Sequence, residues 1–350
     1  MALTRSMGET ADAGGAESRG AARRALAVLF LVTVAALIPL LGPRAALADT
    51  GEAAAPGTGG VALLRAVLFA ALCVPAGELF AARLARRVPG APRVPAPRGW
   101  AVYAAAAGFV VALGLASVVA TGNLLPHRLS DMDVGGLYRI RDGRLALLEV
   151  NAFAVAWFCA RSGRPDAQVW PLAAVALAEA LRAHPATEQG APLGTALTLV
   201  HVTCAALWAG GLLHVLRLLR RWRAVGGGGP GPGVAGGPSA GAALLGLYAR
   251  VAAVLFVAVT ASGVWSGLRR MPPGTVLDQL TTTAYGRALL AKVLLVAVVA
   301  VLALRARLRL RGAGDHSLGA GSPARAEIVV LGVVVAVSGL LTALPLPIRW

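Results

Sequence analysis

Residues 285–299 read YGRALLAKVLLVAVV, a run in which Arg287 and Lys292 are the sole charges. It lies within an apolar segment, Ala284–Leu304, whose length suits a helix crossing the ~30 Å hydrocarbon layer of a bilayer. Lys292 is the only lysine among 350 residues; the other 32 basic side chains are arginines. The excess of Ala, Gly, Pro and Arg points to a GC-rich genome, in which lysine codons drift toward arginine. A lysine retained inside such a segment invites a functional reading. An ammonium in hydrocarbon costs roughly 2.5–3.5 kcal/mol on insertion scales, so it either snorkels to an interface or has a partner and a task.

The rest of the chain repeats this pattern. Hydrophobic residues make up 57% of the sequence and the mean hydropathy is +0.71, beyond the range of soluble domains. Nine apolar segments stand out: Ala25–Leu41, Val61–Ala82, Trp100–Thr121, Leu145–Cys159, Val169–Arg182, Leu193–Leu218, Leu247–Leu268, Ala284–Leu304 and Glu327–Leu344. The fourth and fifth are short and carry Glu149 and Glu179. The expected fold is all-α, a polytopic transmembrane helix bundle of eight or nine spans.

Four stretches divide the chain. Residues 1–24 read as a disordered cytoplasmic N-terminus, and 25–48 as a first transmembrane helix or a signal peptide ending in Ala46-Leu47-Ala48. A retained helix is the favoured of the two. Residues 61–182 hold the N-terminal transmembrane helices. Residues 183–344 form a second transmembrane domain, interrupted by a flexible Gly/Pro loop at 225–242.

Arginine placement orients the bundle. With the N-terminus inside, 21 of the 32 arginines fall on the cytoplasmic side. The net charge of +17 is therefore a topology signal, and no nucleic-acid-binding motif accompanies it. Cys73, Cys159 and Cys204 lie singly in separate apolar segments, with no CxxC pair and no disulfide framework. No catalytic triad, P-loop or Walker motif is present, and no enzymatic activity is expected.

Intramembrane chemistry centres on the sixth segment. His201 and Trp208 differ by about 20° around a helix and share a face, with Cys204 some 60° away. Gly210-Gly211 would admit a neighbouring helix closely. Measured along the helices, His201, Lys292, Glu149 and Glu179 all fall in the outer half of the bilayer. Lys292 is expected to pair with Glu149 or Glu179, since burying the charges singly is costly. That leaves His201, with His184 in the following outer loop, available to a cation; an imidazole suits copper, zinc or nickel. Glu78 is expected to be held by Arg83 or Arg86. His127, Asp131, Met132 and Asp133 read as a solvated outer loop, and His316 as a solvated residue of a cytoplasmic loop.

Three pieces over His184–Arg311 carry a resemblance. They are His184-Pro185 followed by His201-(x6)-Trp208-Ala209-Gly210-Gly211-Leu212, the helix end Thr260-Ala261-Ser262-Gly263-Val264-Trp265, and Thr283-Ala284-Tyr285-Gly286-Arg287-Ala288-Leu289-Leu290-Ala291-Lys292. In this order they resemble the copper resistance protein D (CopD) family of bacterial inner-membrane proteins. The resemblance implies copper handling at the outer face and copper uptake across the cytoplasmic membrane, contributing to copper homeostasis or resistance. Copper ion would be the bound species, with His184, His201 and Cys204 as metal ligands. Lys292, Glu149, Glu179, Trp208 and Tyr285 would form the surrounding polar network. The bilayer and an extracytoplasmic copper chaperone are the expected partners. Two rivals remain: a haem- or quinone-linked electron-transfer protein, and a non-transporting metal-delivery factor. With only four methionines, the chain offers no Met-rich relay for Cu(I).

Overall fold

A computed structural model describes residues 26, 29–53, 55–92, 99–124, 128, 133–162, 164–185, 188, 190–226, 240–271, 273–312 and 321–345. The N-terminal stretch 1–24, most of the Gly/Pro loop, His127, Asp131, Met132 and His316 lie outside them. The described chain is helical throughout, without a strand: α1 (Leu29–Leu47), α2 (Thr58–Ala85), α3 (Ala101–Thr121), α4 (Val134–Arg139), α5 (Arg141–Arg161), α6 (Val169–Ala183), α7 (Ala191–Gly226), α8 (Ala240–Arg270), α9 (Val276–Thr282), α10 (Ala284–Gly312) and α11 (Gly321–Leu341).

Among the described residues seven of these, α1, α2, α3, α5, α7, α8 and α10, are long and apolar enough to cross a bilayer. Ile328–Leu341 of α11 is a shorter apolar helix. α6, at 15 residues, is also short, about 22 Å at 1.5 Å per residue. Every apolar segment marked in the sequence has its helix. The protein is a polytopic α-helical membrane protein.

Local chemistry sets several helix ends. Gly122 follows α3 with φ 73°, a left-handed conformation that a Cβ would strain, and its N–H closes on the Val118 carbonyl. Asp133 opens α4 by accepting the Gly136 N–H at 2.7 Å. Glu78 does the same from a distance. Its carboxylate accepts the N–H groups of Trp100 (3.1 Å) and Ala101 (3.2 Å) at the start of α3. The expected partners Arg83 and Arg86 point instead to Asp166. An unsatisfied helix N-terminus supplies both donors and positive potential, and it outcompetes two exposed guanidinium groups.

The helices α2, α3, α5, α6 and α7 form a closed ring, each packed on the next, around a core that includes Leu68, Leu72, Leu115, Phe153 and Val175. The α2–α7 seam is the tightest. Gly77 and Gly210 face each other so closely that a Cβ on either would collide with the other helix's backbone. Outside the ring α8 packs on α7, and the α10–α11 pair leans on α2. The tail of α1 meets α10 and α11 through Ala46, Tyr285, Ala288 and Leu340.

One end of the bundle collects the arginine-poor connections. There Arg141 of α5 donates to the carbonyls of Leu181 and His184. Arg269 reaches the Gly190 carbonyl at 3.2 Å and Arg270 the Ala183 carbonyl at 3.3 Å. Arg287 of α10 donates to the Ala48 carbonyl after α1. This is the end that arginine counting places outside.

Candidate functional site

Two polar centres lie below the outer end. The first joins α2, α5 and α6. Arg65 donates through Nη1 to both oxygens of Glu179, at 2.6 Å each. Arg182 Nη1 is shared between Glu149 Oε1 (2.7 Å) and Glu179 Oε1 (2.8 Å). Glu149 is wholly buried, Glu179 is 5% exposed, and each arginine is 13% exposed. Two cations and two anions thus balance in an apolar setting, which offsets part of the cost of burying each of them.

The expected pairing of Lys292 with Glu149 or Glu179 is therefore not formed. Both carboxylates are taken by Arg65 and Arg182, which the sequence reading left inside apolar runs as topology charges. The available signal was position. Arg65 sits eight residues into a 28-residue helix, and Arg182 follows Glu179 by three residues, a spacing that puts both on one helical face.

The second centre joins α7 and α8. The His201 ring Nδ1 is 3.0 Å from the Val259 carbonyl and 3.2 Å from Ser262 Oγ. A carbonyl can only accept, so Nδ1 carries the hydrogen. Ser262 in turn donates to the carbonyls of Ala258 (2.6 Å) and Val259 (3.1 Å) within its own helix. The neutral ring then presents an unprotonated Nε2, which makes no hydrogen bond among the described residues. A ring nitrogen fixed by a backbone carbonyl, with the other left open, is the arrangement typical of metal-binding histidines.

His184 is placed differently. It ends α6, is 3% exposed, and has both nitrogens engaged: Nδ1 with Glu188 Oε2 and Nε2 with Thr198 Oγ1, each at 2.9 Å. Its ring lies against Gly194 of α7. Thr198 precedes His201 by three residues, so the imidazole of His184 caps the same helix about one turn above His201. Arg269 and Arg141 hold the surrounding loop.

Cys204 follows His201 by three residues and is half-buried. Among the described residues no three His, Cys, Asp or Glu side chains form a metal-binding group, so His184, His201 and Cys204 are not gathered into one cage. Lys292 is half-buried and makes no hydrogen bond or ion pair among the described residues. It is nonetheless near enough for its charge to act on the His201 imidazole.

Trp208 and Tyr285 have other partners in the structure. Trp208 is 5% exposed, with its ring 5.4 Å from Phe256 and its carbonyl accepting the Tyr248 hydroxyl at 2.8 Å. The Tyr285 hydroxyl accepts from Arg270 at 3.3 Å, at the outer end. Tyr248, Ser262 and Thr198, which position Trp208 and the two histidines, were not singled out beforehand. Hydroxyls at helical spacing give no signal until a partner helix is placed.

Residues 242–343 match the family model described as copper resistance protein D. This part of the chain, under a third of its length, is similar to the CopD family. The match spans α8 to α11, so it takes in Val259, Ser262, Tyr285 and Lys292, and it begins after α7. The second and third sequence pieces lie inside the CopD region. The first, with His184 and His201, lies ahead of it. No curated protein and no solved structure matches the chain. The seven apolar helices make this a multi-pass membrane protein, one region of which is similar to copper resistance protein D.

Proposed function

We propose that the protein binds copper inside the cytoplasmic membrane and carries it across, entering from the extracytoplasmic side. The observation that supports this most strongly is His201. Its Nδ1–H is spent on a backbone carbonyl of the CopD-like region, which leaves Nε2 as an unengaged lone-pair donor. Neutral imidazole is a good copper ligand, and the Cys204 thiol one helical turn inward adds a softer one. Copper is the cargo here, passed from nitrogen to sulfur along α7.

His184 serves the entry. With its ring nitrogens held by Glu188 and Thr198, it is a latch over the approach to His201, and an arriving copper ion would take one of those nitrogens in place of its present partner. Lys292 supplies the opposing charge. A positive charge acting on the His201 site disfavours a resident cation and keeps occupancy transient. A transporter needs such a site, tight enough to load and weak enough to release. An extracytoplasmic copper chaperone is the expected donor at the outer end.

Copper accumulation in cells producing the protein tests this reading. His201→Ala should reduce accumulation to the level of cells lacking the protein while leaving membrane insertion intact. Uptake equal to that of the unaltered protein would remove His201 from the path.

A further inference from the structure

The charge quartet of α2, α5 and α6 lies outside the CopD region, and the copper reading makes no use of it. Its members are unequally satisfied. Glu179 receives three hydrogen bonds, two from Arg65 and one from Arg182, so its charge is fully met. Glu149 receives one, through Oε1, from a guanidinium nitrogen it shares with Glu179. Its Oε2 is fully buried without a hydrogen-bond partner, as are Nε and Nη2 of Arg182. Glu149 is thus the least compensated anion of the four and the most deeply buried.

Its neighbours leave it no other source of compensation. The facing helix α3 contains no charged residue. The short α4 brings only Arg139, α6 brings Glu179 and Arg182, and Arg65 of α2 is spent on Glu179. The 3-10 turn before α6 carries Asp166, which is turned to Arg83 and Arg86. On its own helix, Arg141 is spent on the Leu181 and His184 carbonyls and Arg144 is exposed, while Asp142 stands seven residues before Glu149, on the same face and about 10 Å nearer the outer end. Asp142 is exposed, and its charge acts on Arg182. Arg182 thus feels the charge of a carboxylate at the surface, Asp142, and hydrogen-bonds the buried carboxyl of Glu149.

We infer that Glu149 is a proton-binding site, loaded from the outer end by way of Asp142. In the step, a proton from bulk water rests on the Asp142 carboxylate and is carried by water entering from the outer end to Glu149 Oε2, turning that carboxylate into a carboxylic acid while Asp142 returns to its charged form. The quartet goes from neutral to a net charge of +1, with Arg182 still paired to Glu179. Release reverses the step, and no redox change is involved. The inference stands apart from the copper reading: a proton site could drive any cation past the bundle, and its test uses no metal.

Infrared difference spectra of purified protein in lipid nanodiscs, recorded as pH is stepped without added metal, provide the test. A carboxylic-acid carbonyl band that appears on acidification is expected, and it should be lost in Glu149→Gln. In Asp142→Asn the band should persist but shift more slowly on transfer to heavy water. Carbon-13 glutamate labelling of the unaltered protein, which needs no variant to fold, should move the band, whereas labelled aspartate should not. No titrating band, a band kept in Glu149→Gln, or a band moved only by labelled aspartate would each overturn the assignment.

Discussion

At the residue scale the weight falls on Arg182, whose single Nη1 neutralises parts of two buried carboxylates. Removing one partner of a buried pair leaves the other uncompensated and typically costs 3–5 kcal/mol, roughly, by analogy with other buried ion pairs. Arg182→Ala should therefore lower the thermal unfolding temperature in detergent markedly. Lys292→Gln, which breaks no ion pair among the described residues, should move it little. Equal effects of the two substitutions would contradict the partner assignment. Legibility at this scale was partial. Lys292, Glu149 and Glu179 stand out in the sequence because charge in an apolar run is costly. Which charges meet depends on how helices are rotated about their axes, and periodicity along one strand of sequence does not report that. The arginines were present but looked like flanking charges.

The short helices α4 and α9 carry no long apolar run, whereas the nine apolar elements were readable, because a run of ~20 apolar residues has few alternatives to a membrane helix. Their ends were less so. α7 runs to Gly226 and α10 to Gly312, past their apolar runs and into arginine-rich turns, since arginine is a good helix former and the backbone continues into the interface. The close α2–α7 approach is legible from the α7 side as Gly210-Gly211, while its counterpart Gly77 is a lone glycine between Ala76 and Glu78 and carries no such signal. This seam positions His201, which lies on α7 nine residues before Gly210. Gly210→Leu should force the two helices apart, at a cost of 1–3 kcal/mol or more by the usual measure of overpacking. Gly246→Ala in α8, where a Cβ meets open space, should be neutral or mildly stabilising. The comparison is read from unfolding temperature and from the fraction of monodisperse protein. Tolerance of leucine at 210 would show the seam to be looser than described.

Across the whole molecule, two bodies of polar chemistry are separated by helix α7. On one side the five-helix ring encloses a balanced charge quartet; on the other, α8 of the CopD region holds a histidine that belongs to α7. His201 therefore sits on the seam between the family-matched region and the helices that precede it, and a copper ion bound there would be contacted from both. The sequence pointed to His201 and to the family together. It did not reveal that His184 is tied up by Glu188 and Thr198, because Glu188 lies in a loop and Thr198 on an apolar helix, and neither has a recognisable spacing to a ligand. The central claim is that His201 is the intramembrane copper ligand. The most direct measurement is the copper content of protein purified from copper-supplemented cells and stripped of surface metal by a mild chelator. The account predicts copper retained by the unaltered protein and lost in His201→Ala, with the helical content of the two alike. Equal copper in both, or none in either, would contradict it.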